Sequence, residues 1–156
     1  MQGEPLNASV WVVTQLHHPE GLYIPLPPQS RFRDGYTLLS KKAPPTLAVK
    51  GRLLSVQRDL EQAYKIGADA DTLLWVGKTT ALRIDSPRLA GANYPDLGSS
   101  AEIYTNPNPL PYIELETLGP LHGMKKGDRI ERVNIYTLFR RAETDPEREA
   151  RKILGE

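Results

Sequence analysis

The sequence contains no cysteine among its 156 residues, so neither a disulfide framework nor a thiolate metal site is available to it. It also has almost no net charge, because 20 Lys and Arg are balanced by 19 Asp and Glu. Proteins dedicated to nucleic-acid binding normally carry a clustered basic face, and we therefore expect no nucleic-acid partner. Apolar runs long enough to cross a bilayer are missing too, so we expect no contact with a membrane.

A targeting signal is likewise missing from the beginning of the sequence. The residues MQGEPLNASVWVVTQL do not show the basic start, apolar core and small-residue cleavage site of a signal peptide. We therefore expect a soluble, cytoplasmic protein. The length of the chain suits one domain with a real core.

The sequence does contain many short apolar runs that are separated by turn residues. Its 14 prolines and 12 glycines are spread along the whole chain, as is typical of an all-β domain with many turns. Runs rich in β-branched and aromatic residues predict strands. These strands cover residues 9–16, 21–26, 52–57, 72–76, 79–85, 99–105, 111–118 and 128–139.

Local signals refine this pattern at several points. Pro25 predicts that strand 21–26 lies at a sheet edge or bulge, and residues 27–46 predict a long irregular loop. Two apolar runs around Gly77-Lys78 predict a hairpin in which glycine supplies a positive φ. The sequence TDPEREARKIL predicts a short helix capped by Thr144 or Asp145. We therefore divide the chain into an all-β domain over 1–140 and a charged helical tail over 141–156.

Two patterns that could indicate ligand chemistry are better explained by structure. GKTT at 77–80 resembles part of a phosphate-binding loop, but that loop requires a glycine at position 72, which is Thr. Asp69 and Asp71 lack the further oxygen ligands of a calcium loop and suit a polar connection between strands.

The histidines do not suggest a metal site either. His17 and His18 are adjacent, so they point to opposite sides of an extended chain, and His122 has no partner at a recognisable spacing. We expect neither a metal nor a cofactor.

The stretch YIELETLGPL, residues 112–121, alternates with period two. One face then presents Tyr112, Glu114 and Glu116, and the other presents Ile113, Leu115 and Thr117. The glutamates either face solvent or form the floor of a pocket that binds a polyol. Lys65, between apolar neighbours, similarly either extends to water or contacts a ligand.

Together with YKIGADADTLLWVG and SVWVVTQL, this stretch resembles the galactose-mutarotase-like β-supersandwich family, and within it a bacterial branch of unknown function. The resemblance covers roughly residues 8–140 and implies an antiparallel β-sandwich of the supersandwich type. LETLGP at 115–120 is similar to the motif that carries the general base of mutarotases, which implies that role for Glu116.

The resemblance also shows departures from the family. Trp11 stands where the family has a histidine acid, and ring opening needs an acid as well as a base. Lys65 stands where the family has an acidic residue. The chain also corresponds to only half of a supersandwich, which implies a homo-oligomer or a partner chain that completes the sheets.

We therefore expect binding of a carbohydrate or polyol in a concave pocket on one sheet face. Trp11 would stack on the ligand, Gln15 and Lys65 would form hydrogen bonds with it, and Glu116, with Glu114 beside it, would accept from a hydroxyl. One alternative is an aldose epimerase or related carbohydrate-active enzyme with Glu116 as base. Another is a non-catalytic structural subunit whose concave face is buried against another chain.

Overall fold

The computed structural model describes residues 6–156, so the first five residues of the stretch searched for a targeting signal lie outside the described part. The described residues form thirteen β-strands and one α-helix. The strands are β1 Leu6–Ala8, β2 Trp11–His17, β3 Gly21–Pro25, β4 Thr37–Leu38, β5 Ala48–Lys50, β6 Leu53–Val56, β7 Tyr64–Ala68, β8 Thr72–Val76, β9 Thr80–Asp85, β10 Ala101–Thr105, β11 Tyr112–Leu118, β12 His122–Met124 and β13 Ile135–Arg140. The helix, α1, is Pro146–Leu154.

Two large antiparallel sheets build the domain. One has five strands in the order β2-β11-β10-β7-β4, and the other has six in the order β13-β9-β8-β3-β6-β5. A two-stranded sheet of β1 and β12 accompanies them. The expected all-β antiparallel fold with a short C-terminal helix is confirmed, while its supersandwich type and the division at residue 140 stay predictions.

The main core lies between the two large sheets, because alternate residues of strands from both contribute to it. On β11 the alternation is as expected, with Ile113 and Leu115 fully buried and Glu114 on the opposite face. The buried members of this core are Leu22, Ile24, Leu26, Leu54, Val56, Ile66, Ala68, Ala70, Leu73, Leu82, Ile84, Ala101, Ile103, Ile113 and Leu115.

Helix α1 covers the outer face of the six-stranded sheet, where it contacts β3 and β8. Of the two residues proposed as its cap, Asp145 is the one that caps it, since its side chain accepts a hydrogen bond from Arg148 N. The second apolar cluster formed there contains Tyr23, Leu53, Leu74, Val76, Ala81 and Ala150, with Phe139, Ile153 and Leu154 packed against it.

The predicted hairpin exists, but its turn is one residue further along. Val76 pairs with Ala81 and Gly77 N donates to Thr80 O at 2.9 Å, so the two loop residues are Lys78 and Thr79. Gly77 does not have a positive φ. A Cβ atom at Gly77 would instead lie 2.2 Å from the Trp75 ring, so close packing explains the glycine.

Two other strand predictions need correction. β3 is an interior strand between β8 and β6, not an edge strand. Pro25 is tolerated because it is the last residue of β3, and the pairing with β8 covers only Gly21–Tyr23. The predicted strand 128–139 is shorter than expected, since β13 begins at Ile135 and residues 128–134 are irregular.

Candidate functional site

The outer face of the five-stranded sheet carries the polar residues singled out in the sequence. The strand register brings Glu116 on β11 directly opposite Glu102 on β10 and Val13 on β2. One pair further along β11, Glu114 lies opposite Gln15. Because side chains alternate along each strand, these residues point away from the core that Ile113 and Leu115 fill.

Lys65 on β7 joins the two facing carboxylates. Its Nζ lies 2.8 Å from Glu102 Oε2 and 2.9 Å from Glu116 Oε2. Trp11 Nε1 donates to the same Glu116 Oε2 at 2.7 Å, and Lys65 Nζ lies 5.3 Å from the centre of the Trp11 ring. We refer to Trp11, Lys65, Glu102 and Glu116 as the carboxylate cluster.

Access to the carboxylate cluster is uneven. Glu102 and Glu116 are 0% and 1% exposed, whereas the Lys65 side chain is 24% exposed and Trp11 is 59% exposed. Trp11 and Lys65 both contact Glu116 and are the more exposed members. A ligand arriving from solvent therefore meets the indole and the ammonium before either carboxylate.

Burial dominates the electrostatics of Glu102. It raises the pKa of this carboxyl to about 7, although the hydrogen bond and charge of Lys65 act in the opposite direction. Asp96 and Glu116 add smaller upward contributions. Within the described residues, Glu102 Oε1 is buried without a hydrogen-bond partner. Glu102 is therefore a carboxyl group that exchanges its proton near neutral pH.

The same surroundings also raise the pKa of Lys65, but for a different reason. Burial lowers the pKa of its ammonium, but hydrogen bonds to Glu102 and Glu116 and the charges of both outweigh burial and raise it above the ordinary value. Lys65 therefore stays charged at neutral pH and balances the negative charge of the cluster.

The two remaining predicted residues form a separate pair on the same face. Gln15 Nε2 donates to Glu114 Oε1 at 3.3 Å. This contact joins β2 and β11, as the contact between Trp11 and Glu116 does, but lies further along the two strands. Beside this pair, the rings of Tyr104 and Tyr112 lie 6.2 Å apart at a tilt of 41°. All five predicted site residues thus lie on one sheet face, three of them in the carboxylate cluster.

Glu102 is the member of the cluster that the sequence analysis missed. Its own strand gives only a partial signal, because SSAEIYT places Glu102 on the face opposite Ala101 and Ile103. That signal shows only that Glu102 points away from the core. Its position opposite Glu116 depends on the pairing of β10 with β11, which the sequence pattern does not specify.

Two cavities of the described structure lie elsewhere. One of about 630 Å³ adjoins the hairpin turn and is lined by residues that include Lys78, Arg140 and Thr144. The other, of about 490 Å³, is lined by residues that include Arg52 and Arg88. Neither contains a member of the carboxylate cluster, so the cluster is reached across the sheet face.

The other polar motifs have structural partners. Asp69 accepts from Ser30 Oγ at 2.6 Å and from Arg31 N at 2.7 Å, which ties the long loop to the end of β7. His18 Nδ1 accepts from Arg58 Nε at 2.9 Å.

Among residues 6–156, no group of three or more metal-ligating side chains is arranged to hold an ion. Helix α1 is also too short to cross a bilayer.

Comparisons with protein-family models, curated proteins and solved structures found no match for the chain. The resemblance to the mutarotase-like family therefore stays a hypothesis that depends on the sequence motifs alone.

Proposed function

We propose that the chain binds a carbohydrate or a similar polyol on the outer face of the five-stranded sheet, at the carboxylate cluster. The observation that carries the proposal is the state of Trp11. Its ring is largely exposed, yet its indole N–H is anchored to the buried Glu116 carboxylate. An aromatic surface held in place before binding loses little entropy when an apolar sugar face stacks on it.

Polar groups for sugar hydroxyls lie next to this aromatic surface. The Lys65 ammonium has three N–H donors, and Glu102 and Glu116 lie within reach of two of them. The third donor remains for a ligand oxygen. Gln15 and Glu114 add an amide and a carboxylate on the same face. An apolar platform beside a few convergent polar groups is the usual composition of a small-molecule site.

One observation favours the enzyme alternative. Glu102 provides a carboxyl with a pKa of about 7 next to Glu116, and aldose epimerisation needs an acid and a base on one sugar. Glu102 would then donate the proton and Glu116 would accept one. Both carboxylates are buried, however, so a sugar oxygen would reach them only if Trp11 and Lys65 moved aside. We therefore place binding before catalysis.

Calorimetric titration of a panel of monosaccharides and polyols tests the binding proposal. We expect Trp11→Ala to weaken binding about tenfold, equivalent to roughly 1.4 kcal/mol, because the stacking surface is lost. Glu116→Gln should weaken binding while preserving the fold, because the amide has the same shape and can no longer hold the Lys65 and Trp11 donors as strongly. Val49→Ala removes exposed apolar surface from the other sheet and should bind like the wild type.

This titration, together with an assay of anomer exchange, discriminates between the three functions. Equal affinities of wild type and Trp11→Ala, or no binding by either, would refute a sugar site here and favour the structural subunit. Anomer exchange followed by NMR would support the enzyme if the wild type accelerates it and both Glu116→Gln and Glu102→Gln abolish the acceleration.

A further inference from the structure

The four edge strands of the two large sheets differ in how they are protected. β4 has two residues and β5 has three, and both are too short to pair extensively with another chain. Helix α1 also covers the end of β5, because Arg151 Nη2 donates to the Lys50 carbonyl and Lys50 Nζ lies 2.6 Å from Glu147 Oε2. These two edges show the usual protection against association.

Within residues 6–156, the other two edges, β2 and β13, show no such protection. They are seven and six residues long, and neither contains a proline. β2 contains no Asp, Glu, Lys or Arg, and β13 has only Arg140, at its last position. The uncharged run around β13 extends over residues 133–139. Long, uncharged edge strands present unpaired N–H and C=O groups to any extended chain.

These two open edges lie on the same side of the sandwich. Thr14 Oγ1 on β2 lies 3.0 Å from the Tyr136 hydroxyl on β13, so the strands are neighbours across the two layers. Leu138 pairs in register with Leu82, a member of the main core, and therefore faces the other sheet. It is nevertheless 75% exposed, and Ile135 and Val133 are exposed as well. Exposed apolar side chains thus surround the β13 edge.

We infer that β13 pairs antiparallel with the β13 of a second copy of this chain, which continues the six-stranded sheet across a two-fold axis. A two-fold contact requires a surface that is complementary to itself. A register centred on Thr137 meets this requirement, because it pairs Ile135 with Phe139 and sets Arg140 opposite the uncharged Asn134. The pairing also covers apolar side chains that otherwise remain in water.

Sedimentation equilibrium of the wild type and of edge variants tests the inference. The wild type should sediment at twice its 17.4 kDa mass at micromolar concentration. Leu138→Lys and, independently, Ile135→Lys should each raise the dimer dissociation constant at least tenfold, since each places like charges near the axis. Val49→Lys, at an exposed apolar position on the opposite edge strand β5, should leave it unchanged. Circular dichroism checks that every variant is folded.

A cysteine scan locates the contact independently of these charges. Because the chain has no cysteine, Tyr136→Cys, Thr137→Cys and Leu138→Cys each introduce a single thiol. An intermolecular disulfide forms only if the two Cα atoms come within about 7 Å, so at least one of the three should cross-link under oxidation, and Val49→Cys should not. A monomeric wild type would overturn the inference. So would a dimer that survives both lysine variants and fails to cross-link in the scan, because its contact would then lie elsewhere.

Discussion

Lys65 holds two carboxylates that would otherwise be buried without a counter-charge. Glu102 and Glu116 both contact its ammonium, at 2.8 and 2.9 Å, and both are almost completely inaccessible. Removing one partner of a buried ion pair costs far more than the pair contributes as a whole, because the remaining charge is left unsolvated. The cluster is therefore important for stability as well as for the proposed binding.

We predict that Lys65→Met lowers the free energy of unfolding by about 3 kcal/mol at pH 7, the lower end of the usual range because Lys65 is partly exposed. Lys50→Met breaks the ion pair between Lys50 and Glu147, which has a similar length. Because Lys50 is mostly exposed, the expected loss of unfolding free energy is below about 1 kcal/mol. Urea unfolding of both variants measures the difference. Equal losses would show that the buried carboxylates do not depend on Lys65.

Glu102 should also make stability depend on pH. Its pKa is about 7 in the folded chain and about 4.5 when exposed, so between these values the folded state binds more protons than the unfolded state. Its contribution is fully present below about pH 4.5 and is lost as the pH rises through 7. We predict that Glu102→Gln removes this loss. As the pH rises from 4.5 to about 8, the free energy of unfolding of the variant should therefore come to exceed that of the wild type by about 3 kcal/mol.

Unfolding free energies of both proteins across that pH range test the prediction. Glu114→Gln is the control, because it removes a carboxylate of the same face that pairs with Gln15 and leaves Glu102 in place, so the loss assigned to Glu102 should persist. Parallel profiles for Glu102→Gln and the wild type would contradict the assignment of a proton to folded Glu102.

At the scale of single residues, the sequence predicted where several site residues lie but not which contacts they make. Period-two alternation placed Glu114 and Glu116 on the outer face, and the fold agrees. The roles given to Trp11 and Lys65 came from a resemblance, and their contact with Glu116 joins residues 105 and 51 positions apart. Glu102 was missed because its importance arises from strand pairing and burial, neither of which its own strand reveals.

Among the elements, the β8-β9 hairpin shows how a correct pattern can have a wrong explanation. Two apolar runs around a short turn predicted the hairpin, and it forms. Glycine at 77 was expected to supply a positive φ, but it instead makes room for the Trp75 ring. β12 was missed and β13 was expected to begin too early, since neighbours distant in sequence decide where short strands start and end.

A double-mutant cycle separates the two explanations for Gly77. We predict that Gly77→Ala costs about 1–3 kcal/mol in the wild type, because the added methyl overlaps the Trp75 ring. In a Trp75→Leu background the same change should cost less than half as much, since the overlapping ring atoms are gone. An undiminished cost in that background would indicate that the backbone conformation requires glycine after all.

Helix α1 depends on its cap. We predict that Asp145→Ala lowers the free energy of unfolding by about 1 kcal/mol, because it removes the acceptor for Arg148 N at the first turn. Thr144→Ala is the matched control, since the sequence left both residues open as the cap and the structure selects Asp145. Thermal unfolding should show no loss for Thr144→Ala, and a reversed order would show that the cap lies one residue earlier.

For the whole molecule, composition and the spread of turn residues predicted an all-β domain with a terminal helix, and the resemblance implied that this domain is an antiparallel β-sandwich. They did not predict how the strands are shared between sheets. The interior position of β3 is one example, because Pro25 suggested an edge and only the extent of pairing with β8 shows how the proline is accommodated. Strand order is set by contacts between distant segments, which single-strand patterns do not contain.

The proposed function also belongs to this scale, because the site exists only where four strands of one sheet meet. β2 supplies Trp11, β7 supplies Lys65, β10 supplies Glu102 and β11 supplies Glu116. A ligand on this face would contact residues that span most of the chain. Binding should therefore stabilise the folded domain as a unit.

The most direct test of the sugar-binding proposal is an NMR titration of the two indole N–H signals. The chain has two tryptophans, Trp11 on the proposed site and Trp75, whose indole donates to His17 O. Trp11→Phe assigns the two signals. We predict that a monosaccharide or polyol of the panel shifts the Trp11 signal with a saturable dependence on concentration and leaves the Trp75 signal in place. A panel in which no ligand moves the Trp11 signal, or in which only the Trp75 signal moves, would contradict a carbohydrate site at the carboxylate cluster.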